Sequence, residues 1–116
     1  MYIFDYAFAG CTKLKSIEFP STTISIGEEA FYGCSSLSSI VLPENFYGIA
    51  DNAFVGCKNL RSVTCLASTP PSYPASYPAF DSETMEKGIL YVPSASVEVY
   101  KSTEGWKNFK NISGIE

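Results

Sequence analysis

The chain contains no histidine, so the commonest general base and metal ligand is missing. Its many serines come without a serine elbow motif, and its four cysteines form no C-x-x-C pair. Histidine-assisted nucleophilic catalysis and a zinc site therefore both lack a sequence signature. Lys–Ser or carboxylate pairs leave no such signature and stay open. No window approaches the ~18 consecutive apolar residues of a membrane span. Cations are scarce too, with 8 Lys and Arg against 12 Asp and Glu for a net charge of −4. That balance argues against nucleic acid or an anionic membrane as partner, because both attract basic surfaces. These absences predict a protein that is not an enzyme, holds no cofactor or metal, and neither binds nucleic acid nor inserts into a membrane. The opening "MYIFDYAFAGC" has no basic stretch followed by an apolar core, so it does not read as a secretory leader.

What is present is repetition. "AFAGC", "AFYGC" and "AFVGC" begin at Ala7, Ala30 and Ala53, separated by the same step each time. In rows cut at that step Ile3, Ile26 and Ile49 align, as do Phe8, Phe31 and Phe54. Gly10, Gly33 and Gly56 form another column, and Cys11, Cys34 and Cys57 the next. Leu14, Leu37 and Leu60 follow, then Ile17, Ile40 and Val63, then Phe19, Leu42 and Cys65. A period of roughly 20–29 residues belongs to solenoids with one coil per repeat, whose coils bury their apolar side only by stacking.

Each coil can be read locally. "LKSIEFP" alternates Ile17 and Phe19 with Ser16 and Glu18, the period of a half-buried strand, and Pro20 ends it. "TISIG" predicts a second short strand with Ile24 and Ile26 on one face. "EEAFYGC" reads as a helical stub, with Glu28 and Glu29 at its start and Gly33 closing it. The fourth turn is longer. Leu90 and Val92 take the columns of Ile40 and Leu42, but they follow Val63 and Cys65 by four positions more than the regular step. A tandem "SYPA" at residues 72–79 accounts for the four extra positions. Beyond Pro93, Val97 and Tyr100, then Trp106, Phe109 and Ile112, recur every third residue. That spacing predicts two short helices broken near Gly105, with Lys101, Lys107, Lys110 and Asn111 as their polar face.

The run "CTKLKSIEFPSTTISIGEEAFYGCSSLSSIVLP" resembles the BspA-like leucine-rich repeat. The ending "TPP…LYVPSASVEVYKSTEGWKNFKNI" resembles that of many such proteins from Bacteroides-type bacteria. The resemblance implies a right-handed leucine-rich-repeat solenoid of the α/β class, secreted or displayed on the cell surface, with roles in adhesion. The expected organisation is a solenoid over 1–93, in coils of about 1–20, 21–43, 44–66 and 67–93, and a C-terminal helical cap over 94–116. Two departures stand out: Ala50 replaces the glycine of Gly27, and Tyr47 replaces Ile24. Ile3 already occupies the column of Ile26, so the chain starts inside a repeat, as a fragment of a longer secreted protein would. The first coil would then expose an edge open to homo-association.

Two surfaces are candidate contact sites. The outward strand positions are Lys15, Ser16 and Glu18; Ser38, Ser39 and Val41; Arg61, Ser62 and Thr64. Repeat proteins bind along such ladders, with Lys15 and Arg61 the most specific choice. The alternative is a solvated sheet face. The loop "TPPSYPASYPAF" offers Tyr73 and Tyr77 among prolines that favour extended geometry; its alternative is a spacer over the core. The cysteines are expected as free buried thiols, since a stacked column points its side chains in parallel. The expected function is a non-catalytic interaction module for an unidentified host or bacterial surface protein or glycan. The alternatives are a structural spacer of a longer array or a carbohydrate-binding accessory domain.

Overall fold

The computed structural model describes residues 1–115. The chain returns to the same face of the molecule once per repeat. The short strands β1 (Tyr2–Ile3), β2 (Ser25–Ile26), β3 (Ser39–Leu42), β4 (Gly48–Ile49), β5 (Ser62–Cys65) and β6 (Ile89–Pro93) are joined late in the chain by β7 (Asn111–Ile115). They form two parallel sheets, β1-β2-β4 and β3-β5-β6-β7. The register reproduces the sequence columns: Ile3 pairs Ile26 and Ile26 pairs Ile49, while Ile40 pairs Val63 and Val63 pairs Leu90.

The "AF" segments form a third ladder. The Phe8 amide donates to the Ala30 carbonyl at 2.7 Å, Phe31 to Ala53 at 2.8 Å, and Phe54 to Ala79 at 2.7 Å. The expected helical stubs are therefore tight turns. Their amides are taken by the next rung, so no run of i→i−4 bonds can form. Glu29 does not open a helix: it sits at φ 52°, in register with Tyr6 at 62° and Asn52 at 58°. Gly33 is left-handed at φ 75°, and Gly56 at φ 84° lies so close to Gly33 that a Cβ would stand 3.0 Å from the Gly33 Cα. Gly10, Gly33 and Gly56 share a left-handed backbone at φ 77°, 75° and 84°, which glycine adopts without strain.

Between the three ladders runs the core. Phe8, Phe31, Phe54 and Phe80 form one file, with ring centroids 5.1, 5.0 and 5.4 Å apart and planes within 9° of parallel. Those distances are close to the ~4.8 Å rung spacing and lie in the centroid range of stacked aromatic pairs. Cys34, Cys57 and Cys65 are buried free thiols, as expected. The Sγ of Cys34 donates to the Phe8 carbonyl at 3.1 Å, and that of Cys57 to Phe31 at 3.2 Å. Cys11 departs from the expectation. It is exposed.

The four extra residues of the fourth turn are not confined to the "SYPA" duplication. The register offset is 23 at Tyr2↔Ser25, then 24 at Gly48↔Ser72, 26 at Phe54↔Phe80 and 27 at Ser62↔Ile89. Only two of the four additions fall between Ser72 and Phe80. The last lies where the chain forms the short helix α1 (Ser82–Lys87). The C-terminal segment also differs from two helices. A 3-10 turn (Ser94–Ser96) leads into α2 (Val97–Lys101), and a second 3-10 turn (Trp106–Asn108) follows Gly105 at φ 85°. The chain then extends, and β7 adds a parallel strand beside β6, with Leu90 opposite Ile112. Ile112 continues a strand column, and Glu116 lies outside the described residues. Trp106 and Tyr100 are fully buried against the preceding loop. The Trp106 Nε1 donates to the Pro71 carbonyl at 2.8 Å and the Tyr100 hydroxyl to the Ala67 carbonyl at 2.6 Å.

Candidate interaction face

The four-stranded sheet presents its outward residues in two columns. One is Ser16, Ser39, Ser62, Ile89 and Asn111, each paired with the next. The other is Val41, Thr64, Tyr91 and Ser113. They face out because Ile40, Leu42, Val63, Cys65, Leu90 and Val92, which alternate with them, point into the core. At ~4.8 Å per rung, this is a flat surface of regular spacing. Val41, on the outermost strand β3, is 49% exposed.

The sequence-predicted residues fall unevenly on it. Ser16, Ser39, Ser62, Val41 and Thr64 stand in the two columns. Glu18 is exposed one rung before Val41 but outside any strand pairing. Lys15, Ser38 and Arg61 lie just before the strands, at the edge of the face. Ser38 is tied to Lys15 through its amide at 3.2 Å. Lys15 is exposed, whereas Arg61 is not a free fork. Its Nη1 donates to the Lys58 and Leu60 carbonyls at 3.0 Å, and Nη2 lies 3.5 Å from Glu83. Ile89, Tyr91, Asn111 and Ser113 complete the face. Tyr91 was readable from the placing of Leu90 and Val92 in inward columns. Asn111 and Ser113 were hidden by the helical spacing of Trp106, Phe109 and Ile112.

The loop tyrosines separate. Tyr77 is 61% exposed. Tyr73 is turned inward, which corrects the expectation of an exposed pair. Gly48 pairs Ser72, so Tyr73 falls in the column of Ile26 and Ile49. Its ring meets the Trp106 ring edge-on at a centroid distance of 5.4 Å, and its hydroxyl accepts the Ala79 amide at 3.1 Å. Burial raises its pKa. It is a core residue with a polar tip.

Shallow grooves flank the face. One of about 330 Å³ lies between Phe19, Val41, Pro43 and Leu66, with Glu18 on its rim. Burial pushes the thiols of Cys34 and Cys65 up in pKa and that of Cys57 to about 12, so they stay protonated core groups. Among the described residues no three His, Cys, Asp or Glu side chains gather in a way that could hold a metal. No helix among them is long and apolar enough to cross a membrane.

Parallel rungs recurring at a near-constant step, with one regular outward sheet face, define a leucine-rich-repeat type of protein. The profile of the BspA type leucine rich repeat region matches the chain in six copies over residues 1–85, and the chain belongs to that family. No curated protein matches the sequence.

Proposed function

We propose that this chain is a non-catalytic interaction module, a right-handed solenoid over 1–93 closed by the segment 94–116. It works outside a Bacteroides-type bacterial cell, secreted or on the surface, in adhesion to a host or bacterial surface protein or glycan. The observation that carries this reading is the outward face of the four-stranded sheet. Its residues Ser39, Ser62, Val41, Thr64 and Tyr91 stand in register, with small polar groups around apolar Val41 and Tyr91. A regular, flat, mixed-polarity surface suits many weak contacts along an extended partner. The family supports an interaction role, since its rungs put their packing residues inside and leave the outer strand positions free to vary. Tyr77 is the second contact candidate.

The test is retention on immobilised extracellular matrix proteins and surface glycans, comparing wild type with the double substitution Val41→Glu and Thr64→Glu. Binding lost in this variant, with unfolding unchanged, is the expected result. Binding that survives it but is lost in Tyr77→Ala would move the site to the loop. Hydrolytic turnover of any bound partner would contradict the non-catalytic reading.

A further inference from the structure

The eight cations are not spread evenly. Six of them, Lys13, Lys15, Lys58, Arg61, Lys87 and Lys110, line one edge of the four-stranded sheet, where the chain enters its strands. Lys15, Arg61 and Lys110 directly precede Ser16, Ser62 and Asn111, which belong to one outward column. The edge is continuous through the backbone: Ser38 donates to the Lys15 carbonyl at 3.2 Å, Arg61 to Ser38 at 3.1 Å, and Ile89 to Arg61 at 2.9 Å. Lys13 and Lys58 sit on the turns leading into it, and Lys87 ends α1 beside it.

Few carboxylates balance this ridge. The 81–86 segment supplies three: Asp81 is held by the Gly56 amide at 3.0 Å, Glu83 is shared by Lys87 at 3.1 Å and Arg61 at 3.5 Å, and Glu86 lies 3.9 Å from Lys110. Lys87, Arg61 and Lys58 together hold the Glu83 carboxyl below its ordinary range, which places Lys58 in the same field. Among the described residues no carboxylate oxygen comes within 4.0 Å of the Lys13, Lys15 or Lys58 ammonium groups. Six cations against three carboxylates give the ridge about +3, which leaves about −7 for the rest of a chain with net charge −4. Exposed charges are screened beyond ~8–10 Å at ordinary ionic strength. A ligand on the ridge therefore meets the local positive field, and the net charge of the molecule does not describe its surface.

The chemistry of the ridge narrows the ligand. Between the cations stand Ser35, Ser36, Ser38 and Asn59, which are hydrogen-bonding groups. The exposed large apolar residues, such as Tyr2, Phe4, Val41, Tyr47 and Tyr77, lie elsewhere. The Ser38, Arg61 and Ile89 amides are already bonded between rungs, so an acidic peptide lying along the ridge could not pair with them as an added strand. Among the described residues none of the six ridge cations is flanked in sequence by an exposed aromatic ring on which a nucleobase could stack. From Lys15 to Lys110 the ridge crosses four rung spacings, roughly 19 Å at ~4.8 Å each.

We infer that this ridge binds an extended anionic polysaccharide along the stack of rungs, through lysine–anion pairs and serine hydroxyls. The inference rests on the reading of the chain as a non-catalytic binding module and adds a second surface to it. The probe is immobilised heparin, with neutral dextran, polyglutamate and duplex DNA beside it, eluted by rising salt. Wild type is expected to be retained on heparin and released as salt rises, and not to bind dextran. Lys15→Glu with Lys58→Glu should weaken heparin binding by about tenfold or more. Lys101→Glu with Lys107→Glu makes the same change in net charge away from the ridge and should leave binding unchanged. No retention at low salt, or equal losses in the two variants, would overturn the ridge. Polyglutamate or DNA held as tightly as heparin would overturn the polysaccharide assignment. An unretained protein whose sheet-face binding persists refutes only this inference.

Discussion

The middle rungs and the last third of the chain solve one packing problem in two ways. Within 24–66 several inward columns repeat one residue type from rung to rung: Phe31 stacks on Phe8 and Phe54, and Cys57 repeats the thiol-to-carbonyl bond of Cys34. In 67–115 the same places are filled by different residues with individual contacts. Tyr73 takes an isoleucine column, and the Asp81 carboxylate accepts the Gly56 amide where the carbonyls of Tyr32 and Val55 served the two glycines before it. Tyr100 and Trp106 then fasten the C-terminal segment to the carbonyls of Ala67 and Pro71. Repetition gives every rung the same interior and an outer face free to vary. Where repetition ends, backbone groups still need partners, and single side chains supply them.

The comparison can be broken first at its repetitive half. Phe31→Ala removes a fully buried ring with a partner on each side and is expected to destabilise by about 3–5 kcal/mol. Phe8→Ala, at the half-buried end of the same file, should lose less than half as much in urea unfolding. Equal losses would mean that the file is not a shared interior.

Alkaline pH probes both halves together. Burial raises the pKa of Cys34, Cys57 and Cys65, and of Tyr73 and Tyr100. The unfolded chain loses these protons first, so ionisation favours unfolding as pH rises. The stability tied to Cys57 is complete below about pH 9 and declines from there toward about 12, with a slope of up to roughly 1.4 kcal/mol per pH unit for such a group. Urea midpoints at pH 7 and pH 10 read this directly, and Cys57→Ala should flatten the decline.

The smallest effect sharpens the irregular half. Asp81→Ala leaves the Gly56 amide without its acceptor and should destabilise by about 1 kcal/mol. Asp81→Asn keeps an oxygen there and should recover most of that loss. An unchanged midpoint in Asp81→Ala would show that the carboxylate is not a replacement rung contact.

The strand columns were legible because their cause is local: inward residues alternate with outward ones, and a constant step stacks them. The turns mislead local rules for the opposite reason. Glu28, Glu29 and Gly33 match helix boundary signals, yet the Glu29 and Phe31 amides bond to the Asp51 and Ala53 carbonyls of the next rung, and no local pattern records that. Trp106, Phe109 and Ile112 keep helical spacing while Ile112 belongs to a strand, because the open edge of β6 claims it. At the face, Ser39, Val41, Ser62 and Thr64 were readable from alternation. The engagement of Arg61 by its own turn and by Glu83 was not, since Glu83 arrives from the irregular fourth turn.

The most direct measurement is the set of through-space NMR contacts among the phenylalanine rings in a protein labelled at phenylalanine alone. With centroids 5.1, 5.0 and 5.4 Å apart, Phe31 should show cross-peaks to Phe8 and Phe54, and Phe54 also to Phe80. Rings that give no such contacts, or Phe31 in contact with neither neighbour, would contradict the stacked interior on which both proposed surfaces depend.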